Sequence, residues 1–139
     1  MTFESTVTAE AFLLARIAFA GILGYLALGN LLDLSNTIAY ARSKGAPAPR
    51  FMVPMMSVTL LAGAGSILVG AYPALGAIAI IAFLIGTTPV MHDFWAMEGQ
   101  DRQNEQIHFL KNVGLLAGAL VFFALSSTVW PYAADIGVL

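Results

Sequence analysis

The sequence predicts an all-α membrane protein, a bundle of four transmembrane helices with a short interfacial helix after the first span. Three observations carry that expectation. Hydrophobic residues make up 59% of the 139 and charged residues only 10%, against about a quarter charged in a soluble domain. Asp, Glu, Lys and Arg are absent from Phe51 to His92 and again from Asn112 to Ala134, gaps long enough to cross a bilayer. Small residues recur at four-residue spacing in every apolar stretch, a pattern that lets helices approach closely in lipid.

The first span is read from Ala11 to Leu32, broken only by Arg16 and Asn30 and bounded by Asp33. The tail before it has no basic residue, so a retained span is expected rather than a cleaved signal peptide. The charge-free run from Phe51 to Met91 would be about 60 Å long as one helix, roughly twice the hydrocarbon thickness. It must therefore fold as two helices. The break belongs at Gly70-Ala71-Tyr72-Pro73, where glycine suits a helix end and proline a helix start. That gives spans at about 52–71 and 74–91. The fourth is placed at 107–130, with Trp130, Pro131 and Tyr132 as an interfacial stop. One domain, 1–139, contains all four.

Between the first two spans, residues 35–42 fit a short helix at the headgroups, with Ser35 as N-cap and Gly45 as terminator. Pro47 and Pro49 then force an extended return. The segments flanked by Asp33 and by His92 hold Arg42, Lys44, Arg50 and Arg102, while the opposite side has no Lys or Arg. The positive-inside rule therefore puts both long connections in the cytoplasm and both termini outside. The small-residue stripes expected to pack the bundle are Ala20/Gly24, Ala62/Ser66, Ala82/Gly86 and Gly114/Gly118.

Bulk composition excludes several chemistries. A net charge of −2 leaves no basic field for nucleic acid. No cysteine is present, which removes disulfides, thiolate nucleophiles, iron–sulfur clusters and covalent haem attachment. No catalytic residue and no metal-ligand set is assigned. Met52, Met55 and Met56 read as packing filler.

Polar groups inside a span are functional candidates by default. His92, Asp93 and Trp95 leave the third span; Glu105, His108, Lys111 and Asn112 enter the fourth. Glu105, His108 and Asn112 share one helical face at i, i+3 and i+7. One reading is a metal site built on the Glu105–His108 spacing, and another is haem held by the two histidines. A third is a binding site in which His and Lys donate to a quinone carbonyl or lipid headgroup while Trp95 or Phe94 packs on the ring. The competing structural reading is that these groups cap two helices and satisfy one another. Arg16, at the other end, is expected to snorkel or pair with Glu10 or Asp135, with ligand contact as the functional alternative. The candidate binding set is therefore His92, Trp95, His108, Lys111, Asn112 and Arg16.

The run Thr88-Pro89-Val90-Met91-His92-Asp93-Phe94-Trp95, followed by Gln106-Ile107-His108-Phe109-Leu110-Lys111-Asn112 and a Gly-rich span, resembles the DoxX family of small four-helix membrane proteins. Arg16, Gly29 and Ser43-Lys44-Gly45-Ala46-Pro47-Ala48-Pro49 agree with it. Many relatives carry a Glu in the second helix, but Val58-Thr59-Leu60-Leu61-Ala62-Gly63 has none. The resemblance implies a membrane subunit associated with quinol oxidation or with thiosulfate:quinone oxidoreductase, or a cargo receptor of the surfeit-locus kind. The expected function is an integral-membrane accessory or anchor subunit of a respiratory or redox complex, with quinone as a bound rather than intrinsic cofactor. The expected partners are lipid and either other membrane subunits or further copies of the chain. The alternative is a small-molecule or ion transporter, or a cargo-binding scaffold, with Arg16 and His92/His108 flanking a hydrated path.

Overall fold

A computed structural model describes residues 3–137. Five α-helices follow in order: α1 Thr6–Leu32, α2 Leu34–Ser43, α3 Pro49–Val69, α4 Pro73–Met91 and α5 Gly99–Ala124, with a 3₁₀ turn at Phe94–Ala96 between the last two. Four of them are long and apolar enough to cross a membrane, and α2 is the short one. The chain is a multi-pass membrane protein.

Local chemistry sets most boundaries. The Ser5 hydroxyl accepts from Thr8 N–H and caps α1. Asp33 both ends α1, donating its N–H to Gly29 O, and stands as N-cap of α2. Asp33 thus takes the N-cap position expected for Ser35, although its carboxylate accepts from the Asn36 side chain, at 3.0 and 3.2 Å, rather than from a backbone N–H of α2. Gly45 ends the short helix in a left-handed conformation (φ +79°), and Pro49 opens α3. The break inside the long apolar run falls where glycine and proline put it. Gly70 closes α3 at φ +71°, Pro73 starts α4, and the Ser66 hydroxyl reaches the carbonyls of Ala71 and Tyr72.

The helices pack in the order α1, α3, α4, α5, and α2 lies against α3. Leu23, Leu60, Ile67, Ile80 and Leu84 form the middle of the core. The tightest seam joins α3 and α4, where a Cβ on Gly63 would stand 2.9 Å from both Gly76 O and Ile80 Cγ1. Backbone contact at that distance requires glycine. Of the expected small residues, Ala20 is buried, Gly24 faces Ala64 and Ser66 meets Gly76, whereas Ala62 and Ala82 are exposed and Gly114 has nothing near it. Gly118 does work as expected: the Phe19 ring lies over it.

Helices α1 and α5 meet chiefly through aromatic rings near the end that carries both termini. Phe122 stands 5.0 Å from Phe19 and 5.6 Å from Phe12, and Trp130 stands 5.1 Å from Phe12. Trp130 is only 2% exposed and donates Nε1–H to Leu125 O. It is a core residue rather than the interfacial anchor expected from its position, since the chain leaves α5 at Ala124 and folds back. Polar helix formers after Gly99 begin α5 earlier than residue 107, so the helix that carries the fourth apolar stretch runs from Gly99 to Ala124. The tail then returns to the α3–α4 turn, with Ala134 N–H bonded to Val69 O and Tyr72 N–H to Ile136 O.

Candidate functional site

At the α2 end of the bundle the polar residues at the end of α4 and the start of α5 converge. His92 follows the last turn of α4, and its Nδ1 stands 2.7 Å from Glu105 Oε2 on α5. One turn further on, the His108 ring stacks on His92 with centroids 5.2 Å apart and planes within 24°. Another turn inward, Asn112 Nδ2 donates to Thr88 Oγ1 at 3.2 Å. The i, i+3, i+7 face of α5 thus ties α4 to α5 along its length. Face-to-face imidazoles do not aim their nitrogens at one point. Among the described residues no three His, Asp or Glu side chains are arranged to hold a metal ion.

A second link fixes the connection before α3. Lys44 Nζ bonds Asp93 Oδ1 at 3.1 Å. Burial alone would push the Lys44 ammonium down. The hydrogen bond to Asp93 and the electrostatic influence of Tyr40, Asp93 and Glu105 together outweigh it and hold the group above the usual lysine range.

Behind these links lies a cavity of about 650 Å³ in the wedge between α1 and α5, with α3 and α4 as its back wall and α2 at its mouth. Leu23, Leu60 and Leu84 close it toward the bundle middle, and Met52, Met56, Phe83 and Leu115 line its sides. Polar groups gather at the other end: Asn30 and Asp33 from α1, Asn36, Thr37 and Tyr40 from α2, and His92, His108, Lys111 and Asn112. His92 and Asn112 are engaged in the framework just described. No hydrogen bond to another described residue engages the side chains of Asn30, His108 or Lys111, so their donors are available to a ligand.

Four of the six expected site residues, His92, His108, Lys111 and Asn112, line this cavity. Trp95 does not. The 3₁₀ turn carries it outward, 53% exposed, edge-on to Phe94 at 5.4 Å and Phe109 at 5.9 Å. Phe94 is likewise absent from the cavity wall; it packs on Phe109 beneath the Arg102 guanidinium. Asn30 and the α2 residues were not foreseen as members. The signal available for them was the polar i, i+3, i+6 run Asn30, Asp33, Asn36, which continues one face across the α1–α2 junction.

Arg16 stands at the opposite end and is not among the residues that line this cavity. It is wholly buried, yet neither Glu10 nor Asp135 stands within ion-pair distance of it. Its guanidinium donates to four backbone carbonyls: Ile67 at 3.1 Å and Leu68 at 2.7 Å in the last turn of α3, Pro131 at 2.6 Å and Tyr132 at 3.2 Å in the returning tail. The Trp130 ring covers it at 5.4 Å. A cation at a helix C-terminus satisfies orphan carbonyls and complements the helix dipole. Arg16 is a fastener for the fold, with four of its five N–H donors engaged by backbone carbonyls.

The comparisons with known proteins agree with a membrane protein. The DoxX family matches residues 11–93. The inner membrane protein YphA of Escherichia coli (strain K12) is 30% identical over 114 residues, covering 82% of this chain and 81% of that protein. No solved structure matches. With more than half its length matched, and with the four-span bundle that the His92–Trp95 and Phe109–Asn112 motifs suggested, the chain belongs to the DoxX family.

Proposed function

We propose that this protein is an accessory membrane subunit of a redox assembly, and that its cavity holds the head of a membrane amphiphile, a quinone ring or a lipid headgroup. The observation that supports this reading is the polarity of the cavity. Its walls are mainly aliphatic, methionine and Phe83 side chains with the hydroxyls of Ser57 and Thr87 among them, and its mouth presents the uncommitted donors of Asn30, His108 and Lys111. Such a shape suits a ligand with an apolar body and one carbonyl or phosphate end. The wedge between α1 and α5 gives an isoprenoid or acyl tail a route into the bilayer.

The chain has no cysteine from which to build an iron–sulfur centre, so electrons exchanged with a bound quinone would pass through a partner subunit. In this reading the long connections face the cytoplasm. A continuous transport path is less well supported, because Leu23, Leu60 and Leu84 close the cavity floor and the guanidinium of Arg16 is locked at the far end.

Thermal unfolding of the detergent-purified protein with a short-chain ubiquinone analogue tests the proposal. The expected result is a saturable rise in melting temperature that His108→Ala and Lys111→Ala reduce. No rise in the wild type, or an equal rise in both variants, would overturn the assignment.

A further inference from the structure

Three cations stand at the α2–α3 junction, Arg42 in the last turn of α2, Lys44 just after it and Arg50 in the first turn of α3, and they do not share one fate. Lys44 turns toward the bundle and pairs with Asp93. Arg42 and Arg50 have no carboxylate within ion-pair distance among the described residues. Both line a separate surface notch with Ser35, Ile38 and Ala39. Ser35, Ile38, Ala39 and Arg42 fall on one face of α2 by their spacing, and Arg50 is the second residue of α3. The notch sits where α1 ends and α3 begins, at headgroup depth for helices that cross the bilayer.

We propose that this notch binds the phosphate of an anionic phospholipid, at a site distinct from the cavity. Two guanidiniums offer forked donors that match phosphate oxygens, and Ser35 adds a hydroxyl. An exposed apolar stripe on α3, Phe51, Met55 and Val58, begins beside Arg50 and runs toward the membrane interior. That stripe gives an acyl chain a surface to lie on, and free phosphate would have no use for it. The bound lipid would fasten α2 to α3 from outside while Lys44–Asp93 fastens the same connection from inside.

Native mass spectrometry of the purified protein, released from nanodiscs of equal phosphatidylglycerol and phosphatidylcholine, reads the retained lipid directly. Each arginine near the surface is expected to favour the anionic lipid about fivefold, so the pair gives roughly twenty-fivefold preference. Arg42→Gln with Arg50→Gln should bring the ratio close to one, and Arg50→Gln alone should lower it about fivefold. Inorganic phosphate should not displace the lipid. The proposal is overturned by equal retention of the two lipids in the wild type, by a preference that survives the double substitution, or by displacement with millimolar phosphate. The wild-type ratio stands as a test even if the double variant does not fold.

Discussion

Glu105 Oε2 lies 2.7 Å from Nδ1 of His92, so a carboxylate near the start of α5 holds the residue that ends α4. The same helical face then sets His108 on His92 and Asn112 on Thr88. The mouth of the cavity is built by this contact as much as by the residues that line it.

Replacing Glu105 with Ala should therefore cost about 1–2 kcal/mol of stability, the range for a partly screened hydrogen bond to a charged group. It should also weaken the binding of a ligand that Glu105 does not touch, because the His92 ring on which His108 stacks loses its anchor. Thermal unfolding and analogue titration of the same variant check both. Glu105→Gln, which keeps an acceptor, should recover most of the stability.

Arg16→Leu should be among the most damaging single substitutions, destabilising by about 3–5 kcal/mol, since it strips four carbonyls of their donor in a buried site. Arg16→Lys should rescue only in part, because one ammonium cannot span both the α3 terminus and the returning tail. Protein that does fold should bind the cavity ligand as the wild type does. A loss of affinity with unchanged stability would show that Arg16 acts on the ligand after all.

The α3–α4 seam makes a contrast within one residue type. Gly63→Ala should destabilise by about 1–3 kcal/mol, because the new methyl meets Gly76 O and Ile80 at 2.9 Å. Gly114→Ala, with open space around it inside a helix, should leave stability unchanged or raise it by up to about 1 kcal/mol. Denaturation of the two variants side by side would settle the difference.

The Lys44–Asp93 link gives a pH signature. A lysine held above its usual value contributes stability that is fully present below the ordinary lysine pKa and is lost as pH rises through the higher folded value. The wild type should thus hold its melting temperature through neutral and mildly alkaline pH and lose it at strongly alkaline pH. Lys44→Gln should start lower and show a smaller alkaline loss. An identical alkaline profile in the variant would contradict the assignment.

Local chemistry made much of this fold legible. Gly70 and Pro73 mark the turn that divides the long apolar run because their backbone preferences need no partner to be read. The i, i+3, i+7 spacing of Glu105, His108 and Asn112 likewise brought the right side chains to one face. What could not be read were pairings between distant segments. Arg16 finds its four acceptors 51 to 116 residues away, and no local pattern distinguishes it from a snorkelling cation. Trp130 looks like an interfacial anchor until the tail folds it onto Phe12 and Phe122. Trp95 has the right neighbours in sequence, but the 3₁₀ turn rotates it away from the cavity. Asn30 was visible as a polar residue near a helix end, and only the packing of α1 against α3 brings it across from His108.

The most direct test of the central claim is covalent mapping. A photoreactive short-chain quinone, illuminated with the protein in lipid nanodiscs and located by peptide mass spectrometry, should label α3 around Met52–Met56 and α5 around His108–Leu115. Excess unlabelled quinone should compete that labelling away. Labelling spread along the lipid-facing surfaces of all four spans, undiminished by competitor, would contradict the claim that the cavity is a binding site.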